Sequence, residues 1–104
     1  GKGEAFSPTD TVANGLASCM FTVMGIKARD LEVDFSGSTA EVTKIMGTEP
    51  RRITEIHITF HFSIHPDEKT KTILERTAMT CPVFYSLHPD IIKEVTFNWN
   101  SYNE

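Results

Sequence analysis

Residues 7–26 read Ser-Pro-Thr-Asp-Thr-Val-Ala-Asn-Gly-Leu-Ala-Ser-Cys-Met-Phe-Thr-Val-Met-Gly-Ile, and this stretch decides the fold. It opens as a helix opens: Ser7 can cap, Pro8 suits the first helical position, and Asp10 completes a Ser-x-x-Asp box. From Thr11 to Ile26 there is no charged residue; the polar side chains are Thr11, Asn14, Ser18 and Thr22, with Cys19 near the middle. A helix that is apolar all round is buried all round, so the sequence predicts a long central core helix. The sixteen uncharged residues fall short of the ~20 that cross a bilayer, and Asn14, Gly15 and Gly25 weaken a membrane reading further. The helix ends around Arg29-Asp30, where Lys27 and Arg29 place positive charge on the last turn, as the helix dipole favours.

A chain of 104 residues is one small domain, able to bury about two-thirds of its unfolded surface, which makes it a candidate for further burial by oligomerisation. With a net charge of -4 and ordinary proportions of charged and aromatic residues, nothing points to nucleic acid or to an anionic membrane. Two cysteines, Cys19 and Cys81, without a secretory leader pattern, do not resemble a secreted disulfide scaffold, and their spacing matches no zinc pattern. A cytoplasmic chain with two such cysteines leaves two readings: inert buried thiols, or a redox pair.

Outward from the central helix, Leu31 to Ser38 has room for a short extended piece, and Thr39 to Met46 alternates as a strand. Gly47-Thr48-Glu49-Pro50 reads as a turn. Between Thr54 and Ile64 the even positions are Thr54, Ile56, Ile58, Phe60, Phe62 and Ile64, and the odd ones Glu55, His57, Thr59, His61 and Ser63. That period of two predicts a long half-buried strand. His57, His61 and His65 share its polar face, but four residues along a strand span roughly 13 Å, too far for two rings to share an ion, so no metal site is expected. Pro66-Asp67 starts a second helix whose apolar positions Ile73, Leu74, Thr77, Ala78 and Cys81 recur at helical spacing, placing Cys81 toward the core. Pro82 breaks that helix. Val83 to Leu87 then reads as a further helical turn with Pro82 at its first position and Cys81 as its cap, and Ile92 to Trp99 as a closing strand. The order of elements predicts an α+β domain: a long buried central helix and a second helix packed on a sheet of antiparallel type.

Several of these stretches together resemble the OsmC/Ohr family, the osmotically inducible protein C and organic hydroperoxide resistance proteins. They are Phe6-Ser7-Pro8-Thr9-Asp10 with Cys19-Met20 and Thr22-Val23-Met24-Gly25-Ile26, Lys44 with Pro50-Arg51-Arg52-Ile53, and Cys81-Pro82-Val83 with Ser86-Leu87-His88-Pro89. The likeness runs over nearly the whole chain and is nearest to the OsmC-like branch. It implies an intertwined homodimer with two long central helices wrapped by sheets built from both subunits. It also implies thiol-dependent reduction of organic hydroperoxides, with a thiol or dithiol reductant and no cofactor. By this resemblance Cys19 is the peroxidatic residue and Cys81 the resolving one.

The residue types suit that chemistry. A thiolate attacks a peroxide oxygen, expels an alcohol and becomes a sulfenic acid, which a second thiol converts to a disulfide. Physics alone ranks the two thiols the other way: Cys81, as a cap, stands beside backbone donors that acidify it, whereas Cys19 lies mid-helix among apolar residues. The family supplies an arginine and a carboxylate beside the reactive sulfur. Asp10 stands where the carboxylate is expected, although in the Ohr pattern the matching position is Thr9. Nine residues of helix set Asp10 half a turn out of phase with Cys19 and roughly 13 Å away, so it acts across a dimer or only completes the cap. The arginine of the family comes from a strand well ahead of the cysteine helix. The sequence, beginning 18 residues before Cys19, reads as a single domain over 1–104 without that segment, and leaves Arg51 and Arg52 as basic candidates. The residues sharing the Cys19 face, Val12, Gly15, Leu16, Thr22, Val23 and Ile26, form an apolar wall that favours bulky alkyl peroxides. Two further readings stand beside the peroxidase: a dimeric module that binds a small apolar ligand, and a structural protein with buried thiols.

Overall fold

A computed structural model describes residues 7–100. Six elements follow in order: α1 (Pro8–Asp30), β1 (Thr39–Gly47), β2 (Arg52–His61), α2 (Glu68–Ala78), α3 (Pro82–Ser86) and β3 (Ile92–Asn98). β1 pairs antiparallel with β2, and β3 adds to the other edge of β2 in parallel. The α+β class holds, but the sheet is mixed where the sequence pointed to an antiparallel type. The physical reason is the connection. The chain leaving β2 passes through α2 and α3, long enough to return to the same end before β3 begins, which a hairpin cannot do.

The start of α1 forms as its cap predicts: the Ser7 hydroxyl accepts the Asp10 N–H at 3.1 Å. At ~1.5 Å per residue its 23 residues run uninterrupted for about 34 Å. Ala13, Leu16, Ala17, Met20, Met24 and Ala28 form one buried stripe. The opposite side is open: Thr11, Asn14, Ser18 and Thr22 are exposed, as are Val12 (38%) and Ile26 (54%). Among the described residues, three strands and two short helices cover only one side of a helix this long, so burial on every side is not reached.

β2 carries the inner face of the sheet. Ile56, Ile58, Phe60 and Phe62 are buried as the alternation predicts. A β-bulge opposite Ile45/Met46 leaves Thr54 without a partner in the register, and Ile53 takes the buried slot in its place. The bulge brings Thr54 close to Gly47, where an added Cβ would lie 2.7 Å from the Thr54 methyl. Phe60 stacks on Phe97, and Phe62 on Trp99 with centroids 4.0 Å apart. The indole N–H of Trp99 donates to Glu75 at 2.8 Å, tying the end of the sheet to α2. On the outer face His57 meets Glu55 at 2.7 Å and Glu94 at 3.6 Å, and His61 faces Glu41 at 3.6 Å.

Residues 31–38 hold no strand. Glu32 and Gly37 take positive φ, and the Asp34 carboxylate accepts both the backbone N–H and the hydroxyl of Ser36, winding the chain into turns. Phe35 nevertheless reaches the core, meeting Phe21 edge to face at 5.4 Å. The radius of gyration, 15.1 Å, exceeds the ~13 Å of a compact domain of about 100 residues.

Candidate active site

α1 and α3 lie in contact, and each brings one thiol. Cys19 sits at mid-length of α1, on its half-exposed border, and packs against the core. Cys81 has no exposed surface. It caps α3 as the Cys-Pro pair foretells: Pro82 occupies the first helical position, and the Cys81 sulfur accepts the Phe84 N–H at 3.3 Å. Burial pushes the Cys81 thiol above its ordinary pKa; the Phe84 N–H opposes this, and the neighbouring Cys19 thiol adds to the rise.

The cap alone therefore does not acidify Cys81. The backbone donors at the start of α3 are present, yet desolvation outweighs them. Cys81 remains a protonated, enclosed thiol, while Cys19 borders solvent. The wall around Cys19 is apolar as expected, with Leu16 fully buried and Val23 partly so, but Val12 and Ile26 leave it open on one side.

Asp10 does not stand beside Cys19. It lies in the first turn of α1, where its N–H donates to the capping Ser7, and its carboxylate pairs with Lys44 Nζ at 2.7 Å. That contact, with help from Ser7, holds the Asp10 carboxyl below its ordinary pKa. Lys44 follows Ala40 and Val42 in the alternation of β1, on the side of the strand that turns toward α1. An inward charge on an edge strand is otherwise costly; Asp10 supplies its partner. The sequence singles out Lys44 only as part of a motif, and its inward direction in the strand is the sign that it needs an acid opposite. Since α1 continues without a kink from Asp10 to Cys19, the half-turn offset between them stands. Arg51 and Arg52 are exposed, at the turn into β2.

Beside the open side of α1 runs a groove of about 930 Å³ lined by Phe21, Ile26, Val33, Phe35 and Val42, with Arg29 and Asp34 among its polar residues. Among the described residues no group of histidine, cysteine, aspartate and glutamate is arranged to hold a metal ion. No helix there is long and apolar enough to cross a membrane.

A long helix and a cysteine-capped helical turn in contact, on an α+β frame with a mixed three-strand sheet, define the architecture. Residues 1–95 match the model of the OsmC-like protein family, and the chain belongs to that family. Among solved structures it is similar to a Psychrobacter arcticus 273-4 protein named for osmotic stress induction and detoxification response. The two are 57% identical with a TM-score of 0.90 over 94% of this chain and 72% of that one. The fold is shared with an organic hydroperoxide resistance protein OsmC from Legionella pneumophila (15% identity, TM-score 0.74, covering 94% of this chain and 73% of that one). It is shared as well with organic hydroperoxide resistance protein OhrB of Bacillus subtilis (13% identity, TM-score 0.69, covering 93% and 73%). No curated protein matches the chain.

Proposed function

We propose that this protein is a dithiol peroxidase that reduces organic hydroperoxides. The observation that carries the reading is the placement of a half-exposed Cys19 on α1 and a fully buried Cys81 at the start of α3, on two helices that lie in contact. The Cys19 thiolate attacks the distal peroxide oxygen; the O–O bond breaks, the alcohol leaves with a proton, and Cys19 becomes a sulfenic acid. The Cys81 sulfur then attacks Cys19, water leaves, and a disulfide forms, to be reopened by an external thiol or dithiol. Membership of a family with organic hydroperoxide resistance proteins among its structural relatives supports this redox role.

The functional unit in this reading is a homodimer. The uncharged open side of α1, with Val12 and Ile26 exposed, and the extended radius of gyration both favour a second copy as its cover. Asp10, paired with Lys44, then reaches a Cys19 only across that interface. The apolar groove beside α1 favours a second reading, a module that binds a small apolar ligand without turnover.

The two readings separate on the reduced protein by the second-order rate of Cys19 oxidation with tert-butyl, cumene and hydrogen peroxides. Each buried methylene is worth about 0.8 kcal/mol, so an apolar wall makes the two organic peroxides faster than hydrogen peroxide by about one to two orders of magnitude. Equal rates for all three, near those of a free thiol, sink the peroxidase and leave the ligand-binding module.

A further inference from the structure

Val83, Phe84, Leu87 and Ile91 of the segment that presents Cys81 pack on the core, but its hydrogen bonds are mostly internal. No residue of α3 is fully buried. Its hydrogen bonds run from Tyr85 N–H to the Cys81 carbonyl, from Leu87 N–H to the Val83 carbonyl, and from the Ser86 hydroxyl to the Pro82 carbonyl. The following loop closes on itself in the same way, with His88 accepting the Asp90 N–H at its ring and the Ile91 N–H at its carbonyl. Among the described residues, the polar tie from this segment to the sheet is Lys93, the second residue of β3, which stands opposite Ile56 of β2. Its ammonium donates to the His88 carbonyl at 3.3 Å and the Ile91 carbonyl at 3.0 Å, and lies 5.3 Å from the centre of the Phe84 ring. One side chain thus grips the helical turn through Phe84 and the loop behind it through two carbonyls.

We propose that Lys93 is a positioning residue that holds Cys81 in place for disulfide formation with Cys19. The inference rests on the reading of Cys81 as resolving thiol. A disulfide needs its two Cα atoms roughly 4.4–6.8 Å apart and a dihedral near a right angle. Cys19 is fixed by a long helix, so the freedom that decides the encounter lies in residues 82–91. Charge-assisted hydrogen bonds and the cation–π contact hold that segment down. Without them the turn opens as a local unit while the core stays folded. The chemical step itself is balanced within the protein: the Cys81 sulfur bonds to Cys19, the sulfenic oxygen leaves as water with the Cys81 proton, and no further reagent enters.

Lys93→Met keeps the aliphatic stem and removes charge and donors; Lys93→Gln keeps donors without charge; Lys93→Arg keeps both. Each variant is first checked for native circular dichroism. On rapid mixing of the reduced protein with stoichiometric cumene hydroperoxide, sulfenic acid at Cys19 is trapped with dimedone and the Cys19–Cys81 bond is followed by mass spectrometry. Lys93→Met should form sulfenic acid at the wild-type rate but close the disulfide at least about tenfold more slowly, as the loss of two hydrogen bonds from a charged group implies. It should also accumulate Cys19 sulfinic acid under excess peroxide. Lys93→Gln should fall between, and Lys93→Arg should restore closure. Equal closure rates in all four proteins overturn the proposal. A second readout needs no peroxide: in a Cys19→Ser background, iodoacetamide should label Cys81 about tenfold faster when Lys93 is Met, and unchanged labelling also overturns it. A wild-type protein oxidised at Cys19 that never forms the bond to Cys81 removes the resolving reading itself. That outcome differs from equal closure, which removes Lys93 alone.

Discussion

Cys81 does two things at once, and replacing it with alanine or serine separates them. Cys81→Ala deletes the acceptor of the Phe84 N–H, leaving a half-buried donor unmet at the start of α3. Loss of a cap costs about 0.5–2 kcal/mol. The site has no exposed surface, so the missing sulfur leaves a hole worth ~1 kcal/mol more. Together these give about 1.5–3 kcal/mol. For a domain of this size each kcal/mol moves Tm by about 4–8 °C, so Cys81→Ala should melt at least ~6 °C below wild type. Cys81→Ser removes the same redox chemistry but keeps an acceptor in the capping position and most of the volume, and should melt between the two. Because both variants lack the thiol, their difference isolates the cap. A pH series adds a sign. The Cys81 thiol is held above its ordinary pKa by burial, so its protonated form stabilises the fold below the unfolded value of ~8.5 and that contribution is lost as pH rises beyond it. The gap between wild type and Cys81→Ala should therefore narrow above that pH. Thermal unfolding followed by circular dichroism under reducing conditions measures both effects. An alanine variant as stable as wild type, or a serine variant less stable than alanine, would refute the capping argument.

Two further predictions concern the frame around the site. Asp10 is held below its ordinary pKa by Lys44 and Ser7, so its charge stabilises the fold above the unfolded value of ~3.9 and stops doing so as pH falls through the lower folded value. The Tm difference between wild type and Asp10→Asn should shrink between pH 5 and 3, and a gap independent of pH would show that the pair with Lys44 contributes nothing through charge. Gly47→Ala places a Cβ 2.7 Å from the Thr54 methyl at the bulge and should lower Tm by several degrees. Adding Thr54→Ser, which removes that methyl and keeps the hydroxyl bonded to the Ile45 carbonyl, should recover part of the loss. A double variant no more stable than Gly47→Ala alone would locate the strain elsewhere.

What could be read ahead of the structure is what local chemistry dictates. Ser7 starts a helix by accepting the Asp10 N–H, Pro8 suits its first position because no N–H is needed there, and the structure has that cap. Cys81-Pro82 ends one helical run and caps the next because proline forbids the first and suits the second, and both features are present. The alternation around Ile56, Ile58, Phe60 and Phe62 carries the inner face of β2 unaided. What could not be read depends on parts of the chain far apart. The parallel direction of β3 follows from where α3 delivers the chain, not from any residue within Ile92–Asn98. Thr54 falls out of the alternation because of a bulge whose partner lies on β1. Leu31 to Ser38 has room for an extended piece, but among the described residues no strand pairs with it, and the turn at Asp34-Ser36 takes over. The raised thiol of Cys81 emerges only once burial is weighed against its cap.

The most direct measurement is a peptide map of the fully reduced protein after one equivalent of tert-butyl hydroperoxide. A Cys19 oxidised by the substrate and resolved by its neighbour gives a Cys19–Cys81 disulfide within one chain, with the mass falling by two hydrogens and the link reversed by dithiothreitol. Cys19 carried on to sulfinic or sulfonic acid while Cys81 stays a free thiol would contradict the pairing on which the function rests.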